Sequence, residues 1–164
     1  MHGMLKRRWE MLKDLSDWAS VGVDVELETS LRLLNQLPGV VTFMSCAGHP
    51  DVVSKSREAQ TTLYVSMAIT DESHLPLLAL TSELQDSMLR WGVEWPRNLS
   101  LTYSMRGYVP SGMTREDVVW WRSACLTYKW SLDDWGTRTP FIRQLEATLS
   151  NHVKNYQPQN KEPT

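Results

Sequence analysis

Apolar residues recur every three or four positions in five segments of the chain, which is the spacing of one buried helical face. The five predicted helices cover residues 4–18, 25–36, 73–89, 118–128 and 140–153. Pro38 ends the second helix, because proline cannot continue the hydrogen-bond ladder. Thr114 is a residue type that caps the start of a helix, and Thr139 followed by Pro140 is a second start signal.

Three shorter segments have the pattern of strands. Residues 40–46 are rich in β-branched side chains, and residues 63–69 and 99–105 alternate in the way that half-buried strands do. A loop joins the first two strands, which predicts an antiparallel pair, whereas the helix between the second and third predicts parallel strands. The sequence therefore predicts an α+β or α/β fold, with helices packed on a small mixed sheet of about three to four strands.

Length and composition limit the function classes. The 164 residues predict a single domain over residues 1–156, followed by a flexible C-terminal tail at residues 157–164. Seventeen Lys and Arg against nineteen Asp and Glu give a net charge of −2, which disfavours non-specific binding to nucleic acid. Two cysteines cannot form a disulfide framework, and no apolar run has the length of a membrane span. We therefore expect a cytoplasmic protein with no membrane partner.

The chemistry-bearing residues concentrate where the first strand ends. Hydroxyl, thiol and imidazole groups occur within eight residues here, and two small residues would let a ligand approach the backbone. The predicted ligand-binding residues of this segment are Thr42, Ser45, Cys46, Ala47, Gly48 and His49. An anionic ligand would also need positive groups, and Arg106 and Arg138 are the candidates, since arginine matches phosphate or carboxylate.

Four interpretations of this segment stay open. It is a plain structural turn, an anion or nucleotide pocket, a nucleophilic site in which His49 activates Cys46, or a metal site. The nucleophilic interpretation has no identifiable third residue to orient the histidine. The metal interpretation has only Cys46 and His49 as ligands, since the other histidines and Cys125 have no paired spacing. We therefore predict no metal and no cofactor.

The run from Leu37 to His49 resembles a pattern found in small bacterial and phage proteins, in which a Leu-Pro-Gly-Val or -Ile strand leads into Ser-Cys-x-Gly-His. That resemblance implies a fold and a pocket. Thr42, Ser45, Cys46 and Gly48 are also similar to a run in the tRNA wybutosine methyltransferases, although His49 stands where that family has arginine. This fainter similarity implies an S-adenosylmethionine-dependent transferase.

These observations lead to one expected function and two alternatives. We expect a ligand-binding protein that holds a small anionic molecule such as a nucleotide. By analogy with phage proteins, it would act in the host cytoplasm as a sponge or inhibitor of immune signalling. The first alternative is a small enzyme that uses Cys46 and His49 as catalytic residues. The second is an interaction protein that forms a homo-oligomer.

Overall fold

The structure is a computed structural model of the chain. It describes residues 23–49, 60–90, 98–108, 118–130 and 136–156, together with the single positions 3, 4, 7, 10 and 56. The predicted helix at residues 4–18, the predicted loop at residues 50–61 and the predicted tail at residues 157–164 lie wholly or mostly outside these residues.

Four strands form one antiparallel sheet. They are β1 (Val40–Cys46), β2 (Thr62–Ile69), β3 (Leu99–Tyr108) and β4 (Val119–Lys129). Their order across the sheet is β1-β2-β4-β3, and each neighbouring pair is antiparallel. A bulge interrupts the pairing of β1 with β2 between Thr42 and Met44. The three strands predicted from the sequence are confirmed, and β3 is longer than predicted.

Within the continuous described segments from residue 23 onward, three helices pack on one face of the sheet. They are α1 (Glu28–Leu34), which follows a 3₁₀ turn at Val25–Leu27, α2 (His74–Arg90) and α3 (Arg138–Tyr156). Both α1 and α2 contact α3. Their apolar faces bury Leu31, Leu84 and Leu145 against the sheet residues Val65 and Leu126. The α+β class is therefore confirmed. None of the helices that the structure describes is long and apolar enough to cross a membrane.

The helix predicted over residues 118–128 is wrong, because this segment is the strand β4. The residues used for the helix prediction, among them Trp121, Cys125 and Tyr128, do recur at helical spacing. The same segment also alternates, however, and Ala124, Leu126 and Tyr128 are the residues that enter the core. Adjacent valine and tryptophan residues favour a strand. Hydrogen bonding to both β2 and β3 then selects the alternation of a strand over the three-to-four-residue spacing of a helix.

The sheet is also antiparallel rather than mixed. The register confirms the prediction that β2 and β3 run in the same direction, since both strands pair antiparallel with β4. The two are not neighbours, because β4 lies between them. The mixed sheet was predicted without β4, whose segment had been assigned to a helix.

Candidate functional site

The turn that follows β1 requires glycine at its centre. Gly48 has a φ of +74°, in the left-handed region that side chains disfavour. A Cβ built on Gly48 would lie 2.3 Å from Cη2 of Trp130 and 3.3 Å from the backbone oxygen of Thr62. Because Trp130 is buried, the backbone of the turn is held directly against an indole ring. This contact fixes the position of the residues on either side of Gly48.

Asp24, which lies just before the first 3₁₀ turn, reaches this segment from the other side. Its Oδ2 accepts a 2.6 Å hydrogen bond from the backbone N–H of Ala47. Its Oδ1 lies 3.6 Å from Nε2 of His49, and the two side chains are 22% and 25% exposed. Donor atoms of Asp24, Cys46 and His49 all lie within 4.8 Å of one another. The structure thus brings a carboxylate, a thiol and an imidazole together within reach of solvent.

Asp24 is not among the site residues predicted from the sequence. It precedes Ala47 by 23 positions, and no motif spacing connects the two. The only local signal is that it stands directly before a helical segment, where aspartate usually serves as a cap. The structure records no capping hydrogen bond from its side chain. A carboxylate at a helix start that does not cap the helix is available for another role, but only the fold shows which.

Backbone contacts and a neighbouring phenol surround the thiol of Cys46. The N–H of Gly48 donates to Sγ of Cys46 at 3.4 Å. Tyr64 lies opposite Cys46 in the β1–β2 register. Burial is the main cause that raises the pKa of the Tyr64 phenol above its usual value, and the charges of Cys46, Cys125 and Asp24 raise it further. Tyr64 therefore keeps its proton at neutral pH and can donate a hydrogen bond next to the thiol.

Arg138 reaches the turn, as the sequence analysis proposed, but it is already paired. Its Nε donates a 2.6 Å hydrogen bond to the carbonyl oxygen of Ala47, and its Nη2 lies 2.8 Å from a carboxylate oxygen of Glu26. Only 13% of its side chain is exposed. Arg138 therefore ties the start of α3 to the turn and to Glu26.

Arg106 is not brought to the turn. The register aligns Cys46 with Tyr64, Tyr64 with Thr127, and Thr127 with Ser100. Arg106 is six residues further along β3, which corresponds to roughly 20 Å of extended chain. The prediction that Arg106 lies opposite the motif is therefore wrong, because β4 separates β2 from β3.

Thr42 and Ser45 are part of the strand rather than of the turn. Thr42 exchanges two hydrogen bonds with Asn35: its N–H donates to Oδ1, and its hydroxyl accepts from Nδ2. These bonds tie β1 to the end of α1. Ser45 pairs with the core residue Val65, so it lies on the face of the sheet that packs against the helices. Cys46, the next residue, lies on the opposite face.

The arrangement changes two of the chemical interpretations. An anion at the Ala47 N–H would have to displace the Asp24 carboxylate, which already accepts that bond. The sequence-based expectation of no metal depended on Cys46 and His49 being the only donors, and Asp24 is a third. Asp24 is also a third group near the Cys46–His49 pair.

No protein-family model matches the chain, and neither curated proteins nor solved structures give a significant match.

Proposed function

We propose that Asp24, Cys46 and His49 bind one divalent transition-metal ion, of which zinc fits best, and leave one coordination position open. The observation that carries this proposal is the mutual distance of the three donor atoms, all within 4.8 Å of one another. Three protein ligands and one open position are the arrangement of zinc sites that bind or activate a further ligand.

The distances favour a metal centre over a nucleophilic triad. In a triad the histidine stands between the other two groups and hydrogen-bonds the carboxylate at about 2.6–3.2 Å. Here the Asp24–His49 separation is 3.6 Å, which is longer than that bond. Ligand atoms on one tetrahedral zinc ion, with bonds of about 2.0–2.3 Å, are about 3.3–3.6 Å apart. The observed separation therefore matches two ligands of a shared ion.

The charges of the ligands point the same way. Zinc binds cysteine as a thiolate and aspartate as a carboxylate, so a divalent cation between Cys46 and Asp24 would be held by two negative groups. The donor atoms of the two residues lie within 4.8 Å of each other, and a shared cation would offset the repulsion between them.

The donor set selects the metal. A thiolate, an imidazole and a carboxylate together suit zinc, whereas magnesium and calcium prefer oxygen ligands. Hydrogen bonds to the ligands support the site, because the Ala47 N–H orients Asp24 and the Gly48 N–H points to the Cys46 sulfur. Both donors belong to the turn around Gly48, so the backbone that connects Cys46 to His49 also orients Asp24 and contacts the Cys46 sulfur.

An open metal position gives the small anionic ligand expected from the sequence a way to bind. Without a metal, the Asp24 carboxylate would repel an anion at this turn. With a divalent ion bound, the anion becomes the fourth ligand and meets a positive centre. In this proposal the protein is a metal-dependent binder of small anions, and the metal supplies the positive charge that Arg106 does not.

A zinc competition experiment tests the proposal. Chelator-treated protein is titrated with zinc in the presence of a chromophoric zinc chelator, and uptake is compared between the wild type and single variants. Asp24→Asn, Cys46→Ser and His49→Gln should each weaken zinc binding by about tenfold to a hundredfold or more. Cys125→Ser is the matched control, because Cys125 is the other partly buried free cysteine and lies outside the cluster.

Two results would contradict the proposal. One is stoichiometric zinc binding that survives all three ligand variants. The other is no zinc uptake together with rapid alkylation of Cys46 by iodoacetamide at neutral pH. The second result would support the Cys46–His49 nucleophile instead.

A further inference from the structure

A second concave site lies at the opposite end of the sheet. A cleft of about 730 Å³ opens between the start of α2 and the outer parts of β3 and β4. Ile69, Asp71, His74, Tyr103, Met105 and Arg122 contribute to its lining. Its volume is in the range of pockets that hold small molecules. It is distinct from the Asp24–Cys46–His49 cluster, since Ile69 and Tyr64 are at opposite ends of β2, roughly 17 Å apart.

The cleft exists because the helices from residue 23 onward that the structure describes cover only part of the sheet face. Leu99 and Leu101, in the first half of β3, belong to the core or pack against it. Tyr103 and Met105 continue the same face but are 40% and 56% exposed. Among the described helices, α2 is the one that borders this region, and it begins at His74, at the edge of the cleft. Large apolar side chains are thus left open on a face that elsewhere forms the core.

The walls of the cleft suit a flat ring. The rings of His74 and Tyr103 contact each other in a tilted arrangement, with centroids 5.1 Å apart and an angle of 46° between their planes, so they form one aromatic wall. Aromatic faces favour stacked or edge contacts with another ring. The thioether of Met105 is polarizable and contacts aromatic groups favourably. With Ile69 these side chains provide an apolar slot whose rim is polar.

One positive group stands at the rim. Arg122 forms an ion pair with Asp71, but the two side chains are 62% and 87% exposed. An ion pair that open to water contributes little to stability, so a ligand can replace Asp71 at little cost. The guanidinium of Arg122 would then form a charge-assisted pair with an anionic group of the ligand.

We propose that this cleft binds a small planar aromatic molecule that carries an anionic group. The ring lies against Tyr103, His74 and Met105, and the anion replaces Asp71 as the partner of Arg122. This assignment is independent of the metal proposal, because it uses none of the metal-binding residues.

The test uses two probes on chelator-treated protein, so that the metal site cannot contribute. AMP is compared with adenosine, and 2-naphthalenesulfonate with naphthalene, by chemical-shift perturbation or calorimetric titration. Each anionic probe should bind about tenfold more tightly than its neutral counterpart. Arg122→Gln should abolish the preference for the anionic over the neutral compounds, and Tyr103→Ala should weaken the binding of both anionic probes by about tenfold.

Arg106→Gln is the matched control. Arg106 is on the neighbouring strand β3, but it pairs with Trp121 and so lies on the other face of the sheet. This variant should bind both anionic probes as the wild type does. The side chains of Tyr103 and Arg122 are both substantially exposed, so their variants should fold, which circular dichroism verifies. The proposal is wrong if neither anionic probe binds below millimolar concentration, or if Arg106→Gln weakens binding as much as Arg122→Gln does.

Discussion

Replacing Gly48 by alanine should destabilise the protein more than the same change at other glycines. The φ of +74° costs a residue with a Cβ roughly 1–2 kcal/mol. The new Cβ would also lie 2.3 Å and 2.6 Å from two ring carbons of Trp130, which is 5% exposed and cannot swing aside. Overpacking of this kind costs typically about 1–3 kcal/mol. We therefore expect a total loss of about 3 kcal/mol.

Two other glycines separate the contributions. Gly39 has nearly the same φ, +68°, but its added Cβ would meet the short side chain of Thr70, clashing with its Oγ1 and lying 3.1 Å from its Cβ. Gly39→Ala should therefore cost at least the backbone contribution of about 1–2 kcal/mol but less than Gly48→Ala, because a hydroxyl rotates more easily than a buried indole. Gly136 has nothing within 4 Å of an added Cβ, so Gly136→Ala should change stability by less than about 0.5 kcal/mol.

Urea denaturation followed by circular dichroism measures these differences. With a slope of about 1–3 kcal/mol per molar urea, Gly48→Ala should lower the midpoint by about 1–3 M. Phenylalanine lacks the outer ring carbons of tryptophan, so in a Trp130→Phe background the cost of Gly48→Ala should fall by about 1–3 kcal/mol. If Gly48→Ala is as stable as Gly136→Ala, or if its cost is unchanged by Trp130→Phe, the contact with Trp130 does not require glycine at this position.

Three further predictions concern other parts of the fold. Arg138→Ala should lower the free energy of unfolding in urea by about 2 kcal/mol, because it leaves the Ala47 carbonyl without its donor and removes the ion pair with Glu26. Arg143 is an exposed arginine of the same helix, and Arg143→Ala should leave the stability unchanged. Amide hydrogen exchange should be slowest in β4 and β2, the two interior strands, and fast exchange throughout residues 119–129 would contradict β4. Burial raises the pKa of Glu146, so ionisation of this carboxyl opposes folding. Above about pH 5, Glu146→Gln should therefore have a higher melting temperature than the wild type, and the difference should vanish near pH 4. A difference independent of pH would show that the charge is not the cause.

The sequence was sufficient to predict the elements in which the apolar spacing and the neighbouring turn residues indicate the same structure. β1 ends at Cys46 because the following Ala-Gly-His-Pro segment cannot continue a strand, and the prediction had the same bounds. The last helix is present as predicted, but it begins at Arg138, so Thr139 and Pro140 lie in its first turn and Thr139 is not its cap. In residues 118–128 the apolar residues fit both periods, and only pairing with β2 and β3 decides in favour of a strand.

The candidate site was predicted in part. Cys46, Gly48 and His49 are adjacent in the sequence, so the turn that holds them could be found from local composition. Asp24 joins them only because the segment before α1 packs against the end of β1, which is a tertiary contact. The position of Arg106 was predicted wrongly because strand order is also a tertiary property. The strand β4 was not predicted, and it separates β3, which carries Arg106, from β2 and β1.

X-ray absorption at the zinc edge identifies the atoms that bind the metal. In zinc-loaded protein we expect one sulfur ligand at about 2.3 Å together with nitrogen or oxygen ligands at about 2.0–2.2 Å. The sulfur contribution should disappear in Cys46→Ser and persist in Cys125→Ser. A spectrum with nitrogen and oxygen ligands alone in the wild type, or a sulfur contribution that is lost in Cys125→Ser, would show that Cys46 does not bind the metal.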